Sequence, residues 1–155
     1  MVMRPTPVAA FLNGKRFAVA GVSRDGKQAA NAIYRKLLAA GYEVVTINPK
    51  TTEVDGATCY PDVLSVPGSL DGIVIATHPD AAVEVARQAR ERGVRHIWFH
   101  RSFGQGSVSD DAVLQCQDAG MNCIVGGCPL MYCEPVDLFH RCMCWWLRRT
   151  GRVPG

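Results

Sequence analysis

A short apolar run that breaks at a glycine constrains the fold of this chain more than any other feature of its sequence. Residues 17–20 are apolar, Gly21 begins a small polar turn that ends at Gly26, and an amphipathic segment covers about residues 28–40. A strand, a glycine turn and a helix in this order form the first unit of a dinucleotide-binding fold. Such a turn presents backbone N–H groups at a helix N-terminus, where the helix dipole favours a phosphate.

The rest of the sequence repeats the alternation of strand and helix. Short apolar or β-branched runs predict strands, and apolar stripes at helical spacing predict helices. Strands are predicted at residues 17–20, 42–47, 73–76, 96–99 and 121–125, and helices at residues 8–12, 29–40, 79–92, 110–119 and 136–149. Residues 57–60 are predicted to form a short extended piece, and residues 61–64 a single helical turn.

This alternation predicts an α/β fold in which a parallel sheet is covered by helices on both faces. The expected architecture is a single Rossmann-like, doubly wound domain over residues 1–155, with about five parallel strands. Residues 136–149 form its C-terminal amphipathic helix. A length of 155 residues agrees with one domain.

Composition excludes several classes of partner. The net charge is only +3, and no run of Lys and Arg with interleaved aromatics precedes the C-terminus, which argues against a nucleic-acid partner. No apolar stretch is long enough to span a membrane, and the N-terminus lacks the apolar core of a signal peptide. The seven cysteines follow no regular framework and therefore indicate reduced thiols in a cytoplasmic protein.

Ligands of a doubly wound sheet bind outside the carboxyl ends of the strands, and the first such end carries the glycine turn. Its pattern is Gly21-x-Ser23-x-x-Gly26, with serine where the usual fingerprint has its middle glycine. The side chain of Ser23 counts against a standard NAD site, but its hydroxyl could donate to a phosphate, and Arg24 and Lys27 add positive charge. The alternative is an ordinary turn with solvated charges.

The second strand ends in Asn48, Pro49 and Lys50. An NAD site needs an acid at this position to hold the ribose hydroxyls, whereas a lysine suits a phosphorylated ribose. The alternative is an ordinary surface turn. The third strand leads into Thr77, His78 and Pro79, where proline could provide a rigid wall for a nucleobase, although proline is favoured at the start of any helix.

The ordered combination of these phrases resembles the small bacterial CoA-binding-domain proteins, which are free-standing relatives of the CoA-binding domain in the succinyl-CoA synthetase alpha subunit. The resemblance covers about residues 15–129 and rests on these stretches: 17–22, Ser23-Arg24, Asn31, Gly41-Tyr42-Glu43-Val44, Asn48-Pro49-Lys50 and Thr58-Cys59-Tyr60-Pro61.

The resemblance implies a Rossmann-like fold with coenzyme A bound along the first three strand ends. It implies that Gly21, Val22, Ser23 and Arg24 meet the pyrophosphate. It also implies that Asn48, Pro49 and Lys50 meet the adenosine 3′-phosphate end, and that Thr77, His78 and Pro79 line the path of the adenine and pantetheine. Synthetase subunits carry a phosphorylated histidine in a separate domain, and none of the four histidines of this chain matches it.

Cysteines crowd the last third of the chain without the paired spacing of structural zinc sites, and most are expected to be small core residues. Cys128, in a Gly-Gly-Cys-Pro turn at a strand end, is the candidate for a reactive thiol that could pair with the thiol of CoA. His100 at the fourth strand end could touch the reactive end of the ligand, or it is simply a polar residue there.

The function that these residues favour is binding of coenzyme A or an acyl-CoA by a non-catalytic or regulatory module, with no catalytic or metal-binding residue assigned. One alternative is an enzyme of the same fold, NADP-dependent or acting on CoA thioesters. Another is a redox or interaction protein that uses the C-terminal cysteines. A homodimer is also left open, with the last helix packed on a second subunit.

Overall fold

A computed structural model describes residues 4–102 and 104–154 of the chain. The five α-helices are α1 (Thr6–Leu12), α2 (Ala29–Ala39), α3 (Pro79–Glu91), α4 (Asp110–Asp118) and α5 (Leu138–Arg149). The seven strands are β1 (Arg16–Ala20), β2 (Glu43–Ile47), β3 (Glu53–Val54), β4 (Ala57–Tyr60), β5 (Gly72–Ile75), β6 (His96–Phe99) and β7 (Asn122–Val125). A short 3₁₀ turn at Pro129–Met131 precedes α5.

The strands form one mostly parallel sheet in the order β3-β4-β2-β1-β5-β6-β7. Helices α1, α2 and α5 cover one face around the buried side chains of Phe17, Val74 and Trp98. Helices α3 and α4 cover the other face around Ile73, Ile97 and Phe99. The Rossmann-like α/β fold with helices on both faces is therefore confirmed.

The sheet has seven strands where about five were predicted, and the two additional strands form a hairpin at one edge. The extended piece at residues 57–60 is strand β4, which pairs parallel to β2 and antiparallel to β3. The hairpin turns at Asp55 and Gly56, both of which have positive φ, at 51° and 78°. Asp-Gly is the pair that a two-residue hairpin turn prefers, so the sequence did carry the signal.

Two further boundaries differ from prediction. Residues 61–64 form bends and turns rather than a helical turn, and the Asp62 carboxylate accepts from the backbone N–H of Ser65 at 2.7 Å, which fixes a local loop. Helix α5 starts at Leu138 rather than residue 136, because the side chain of Asp137 caps it by accepting from the N–H of His140 at 2.9 Å.

The strand register brings the ends of the three central strands to one level. Ala20, the last residue of β1, is paired with Ile47 at the end of β2 and with Ile75 at the end of β5. The chain moves to one side of β1 for β2 and to the other side for β5, which is the topological switch point of such a sheet. The loops that follow these three strands consequently converge.

None of the helices in the described ranges is long and apolar enough to cross a membrane.

Candidate functional site

A cleft of about 650 Å³ opens where the loops after β1, β2 and β5 converge. Seven of the eleven residues predicted to bind the ligand line it: Gly21, Val22, Asn48, Pro49, Lys50, Thr77 and His78. A smaller cavity of about 340 Å³ adjoins the cleft and shares Pro49, Lys50 and Pro61 with it. Arg24 lines this second cavity, so it lies beside Lys50. Ser23, Lys27 and Pro79 are not among the described residues that line either cavity.

The loop after β1 approaches the sheet closely at Gly21. Its φ is +102°, which non-glycine residues rarely adopt, and a Cβ built there would lie 2.2 Å from the carbonyl oxygen of Ala76. The N–H of Gly21 donates to the carbonyl of Ile47 at 3.3 Å. Glycine is therefore required at the start of the loop for packing between neighbouring strand ends, whatever the ligand.

Asn31 holds the first loop in shape from the first turn of α2. Its side chain is fully buried. Its Oδ1 accepts from the backbone N–H of Ser23 at 2.9 Å, and its Nδ2 donates to the carbonyl of Ser23 at 2.8 Å. A buried amide that satisfies both polar groups of one residue fixes that peptide in place.

The hydroxyl of Ser23 is engaged within the loop. It donates to the Asp25 carboxylate at 2.5 Å and lies 3.2 Å from Oδ1 of Asn31. Asp25 also accepts from the N–H of Lys27 at 3.1 Å. The hydrogen bond from Ser23 is the main cause that lowers the pKa of Asp25, with the bond from Lys27 second. The predicted donation from the Ser23 hydroxyl to a phosphate would have to replace the bond to Asp25.

Asn48 joins the first loop to the second. Its Nδ2 donates to the carbonyl of Val22 at 2.7 Å, and its Oδ1 accepts from the N–H of Lys50 at 2.7 Å. Its own N–H donates to the carbonyl of Tyr60 in β4 at 2.9 Å. Asn48 therefore ties together three segments around the cleft, a role that the sequence alone did not indicate.

The third wall is formed by α3 and the loop before it. The hydroxyl of Ser107 donates to the carbonyl of Thr77 at 2.6 Å, and Nδ1 of His78 accepts from the N–H of Asp80 at 3.4 Å as the helix cap. Pro79 is the first residue of α3, as predicted.

The sequence analysis did not identify three polar side chains of the cleft that lie on helices or at a helix start. These are Gln28 just before α2 and, on α3, Glu84 and Gln88. The amide of Gln88 donates to the Glu84 carboxylate at 2.8 Å. Hydrogen bonds from Arg87, the larger cause, and from Gln88 lower the pKa of Glu84 to about 2. The signal was available, since positions 81, 84, 85 and 88 share one helical face.

The residues that follow β6 and β7 form a separate, largely buried group. Cys128 is 4% exposed, and burial raises the pKa of its thiol to about 12. Burial and the raised pKa disfavour the thiolate that nucleophilic attack requires, so they argue against the hypothesis of a reactive Cys128. Burial also lowers the pKa of His100, whose Nε2 lies 3.3 Å from the Ser102 hydroxyl. Within the described ranges no three His, Cys, Asp or Glu side chains are placed to hold a metal ion.

Together, the switch-point cleft, the glycine loop at a helix N-terminus and the cationic rim are typical of the Rossmann-like class of doubly wound proteins. Comparison with models of protein families also identifies the family. The model of the CoA binding domain family matches residues 15–134, and the chain belongs to that family. The resemblance in the sequence is thereby confirmed.

Relatives of known sequence or structure agree with this assignment. The uncharacterized protein YneT of Bacillus subtilis (strain 168) is 24% identical over 114 residues, which are 74% of this chain and 82% of that protein. A conserved hypothetical protein from Pyrococcus furiosus is 30% identical with a TM-score of 0.63, over 71% of this chain and 91% of that one. A hypothetical protein from Pyrococcus horikoshii OT3 is 26% identical with a TM-score of 0.73, over 83% and 93%.

A much larger protein contains a similar unit. The dinucleotide-forming acetyl-coenzyme A synthetase 1 of Ca. Korarchaeum cryptofilum, in complex with phosphate and ADP, is 29% identical with a TM-score of 0.63. The match covers 74% of this chain but 26% of the synthetase chain. The similarity is thus to about a quarter of that enzyme.

Proposed function

We propose that this protein binds coenzyme A or an acyl-CoA in the cleft between the ends of β1, β2 and β5, as a non-catalytic or regulatory module. The observation that carries the proposal is the pairing of Arg24 and Lys50 beside the cleft, where the loop after β2 offers no acid for a free ribose. Cationic side chains at this position suit a ribose that carries a phosphate. Membership of the CoA binding domain family supports coenzyme A as that ligand.

In this proposal the backbone of Gly21 and Val22 faces the pyrophosphate, at the loop that leads into α2. Lys27 supplies positive charge near it, and the hydroxyl of Ser23 reaches the phosphate only by leaving Asp25. Arg24, which was predicted to meet the pyrophosphate, is assigned instead to the adenosine 3′-phosphate, because it lines the smaller cavity together with Lys50. Buried Asn31 keeps the peptide of Ser23 oriented.

The outer part of the ligand lies along the second and third loops. Lys50 and Arg24 face the adenosine 3′-phosphate, and Pro49 packs beside it. Asn48 positions the loop through its bonds to Val22 and Lys50 rather than by contact with the ligand.

Thr77, His78 and Pro79 lie at the start of α3 and flank the path of the adenine and pantetheine. We assign these residues to the wall of the path, because the cleft lining includes Thr77 and His78.

Binding without catalysis is favoured by the state of Glu84, which lines the cleft together with a second acid, Asp62. Arg87 and Gln88 hold the pKa of Glu84 at about 2, so at neutral pH its carboxylate is ionised and is a poor proton donor. His78 is exposed and accepts a backbone hydrogen bond through Nδ1. Glu84 is therefore not suited to act as a general acid at neutral pH.

Calorimetric titration with CoA, dephospho-CoA, NADP and NAD tests the proposal. A charge-assisted contact to the 3′-phosphate contributes about 1.5–3 kcal/mol, so CoA should bind at least about tenfold more tightly than dephospho-CoA. Lys50→Ala should reduce that ratio towards one. Lys15→Ala is the matched control, because Lys15 immediately precedes β1 and so lies at the amino ends of the strands, opposite the cleft.

The outcomes separate the alternatives. Equal affinity for CoA and dephospho-CoA would refute the role of Lys50. Tighter binding of NADP than of CoA would favour the dehydrogenase alternative, and absence of binding to all four ligands would refute the proposal. Turnover of an acyl-CoA by the purified protein would refute the non-catalytic role and show that the protein is an enzyme.

A further inference from the structure

The outward face of α5 carries large apolar side chains beside Arg141 and Arg149, whereas the outward face of α3 is ion-paired. Helix α5 packs on the core through Met143, Cys144 and Leu147. Large apolar side chains on its other side remain exposed: Leu138 by 75%, Phe139 by 66%, Trp145 by 61% and Trp146 by 48%. A contiguous exposed apolar patch of this kind marks an interaction surface.

This surface is separate from the nucleotide cleft. Leu138, Arg141, Cys142, Trp145 and Trp146 line a shallow groove of about 610 Å³ along α5. The match to the family ends at residue 134, before α5 begins. The outward apolar residues are therefore not part of the region that defines the family.

We propose that the outward face of α5 is the contact surface of a homodimer, in which two copies of α5 pack antiparallel about a twofold axis near Cys142. Charge on the helix carries the choice of partner. Asp137 caps the N-terminus and also pairs with His140. Arg149 lies in the last turn, over the ring of Trp145, and is 12 positions or about 18 Å from Asp137.

An antiparallel pair aligns these opposite charges. It places Arg149 opposite the partner's Asp137 at both ends, and it also opposes the two helix dipoles. A parallel pair would instead place Arg149 beside the partner's Arg149. The helix is thus complementary to a second copy of itself in one orientation.

The size of the surface predicts a reversible dimer. Aromatic residues bury about 150–250 Å² each, so the exposed parts of these side chains offer on the order of 500 Å² per protomer. A symmetric pair then buries roughly 1,000 Å² in total, at the lower end of specific interfaces. The dimer should therefore dissociate on dilution.

Sedimentation velocity of the full chain over a range of concentrations tests the proposal. A monomer–dimer equilibrium is expected. Trp145→Glu should raise the dimer dissociation constant by at least about 30-fold, as for an aromatic hot spot. Leu114→Glu replaces an exposed leucine of α4 and should change that constant by less than about twofold.

A thiol-specific cross-linker locates the contact. Cys142 is the one exposed thiol among the seven cysteines, all of which lie in the described ranges. A short bismaleimide, which adds one thiolate to each of its two double bonds, should link two chains through Cys142. Cys142→Ser should abolish that product, and Trp145→Glu should reduce it.

A protein that stays monomeric at every concentration would overturn the proposal, as would a dimer that Trp145→Glu leaves intact. Binding of the monomer to anionic lipid vesicles through α5 would overturn it in favour of a membrane surface. Titration of each variant with CoA keeps the two proposals apart, because loss of the dimer should leave the cleft and its affinity for CoA unchanged.

Discussion

Asn31→Ala should weaken both the fold and the binding of CoA, since Asn31 holds the first loop from inside the protein. The substitution removes an acceptor 2.9 Å from the N–H of Ser23 and a donor 2.8 Å from its carbonyl. Because Asn31 is fully buried, solvent cannot directly replace the acceptor and the donor that Ser23 loses. The peptide of Ser23 must then go without partners or move.

The expected loss of stability follows from these two bonds. Each contributes about 0.5–1.5 kcal/mol net, and a buried group left without a partner costs about 1–3 kcal/mol. We therefore expect the free energy of unfolding to fall by about 2–3 kcal/mol. For a chain of this size, that corresponds to a melting temperature lower by roughly 5–10 °C.

Denaturant unfolding and calorimetric titration with CoA measure the two effects. Asn122→Ala is a matched control, because Asn122 donates to the carbonyl of Pro7 at 3.0 Å and lies 2.8 Å from Nδ1 of His96, at the edge of the sheet opposite the cleft. Both variants should lose stability, but only Asn31→Ala should lose affinity for CoA, by about tenfold or more.

If Asn31→Ala lowers the free energy of unfolding by less than about 0.5 kcal/mol, the reasoning about its hydrogen bonds is refuted. A normal loss of stability with unchanged affinity would refute the link between loop shape and binding. An equal loss of affinity in Asn122→Ala would show that the effect follows general stability.

Three further outcomes are expected. Gly21→Ala should destabilise the protein by more than about 3 kcal/mol in denaturant unfolding, because its Cβ meets a backbone oxygen, whereas Gly41→Ala, with nothing within 4 Å, should cost about 1 kcal/mol; equal costs would contradict the close approach. In native protein treated with iodoacetamide at pH 8, peptide mapping should find Cys142 alkylated well before Cys128, and fast labelling of Cys128 would contradict its raised pKa. Backbone N–H bonds lower the pKa of Asp71 in the folded state, so its stabilisation is complete above the unfolded value of about 4 and is lost as pH falls through the lower folded value. Asp71→Asn should flatten that acid limb of the unfolding curve, and an unchanged limb would refute the assignment.

The sequence predicts the main sheet and its helices because each carries a local periodic signal. The buried runs of β1 after Arg16 and of β5 are apolar, and Ser109 caps α4 as expected, accepting from the N–H of Ala112 at 3.5 Å. The hairpin of β3 and β4 has a local signal only in its Asp55-Gly56 turn, because its strands are two to four residues long and β4 depends on pairing with β2, which is not local information.

The candidate site divides in the same way. Loop residues such as Gly21 and Lys50 were predictable, because strand ends of a parallel sheet meet at one edge. Side chains that act across the cleft were not, because their partners are distant in sequence. Asn48 bonds to Val22 at a separation of 26 residues, and Asn31 serves the backbone of Ser23 rather than a ligand.

Shape and charge in the cleft therefore come from different kinds of residue. The amides of buried Asn31 and half-buried Asn48 fix the backbone of the first two loops before any ligand arrives, which reduces the ordering that binding must supply. The side chains of Arg24 and Lys50 are exposed at the rim, where salt screens their attraction for a phosphate. It follows that added salt should reduce the preference for CoA over dephospho-CoA while leaving the affinity for dephospho-CoA less affected. Substitution of Asn31 should instead weaken both ligands alike, because both need the same pyrophosphate loop.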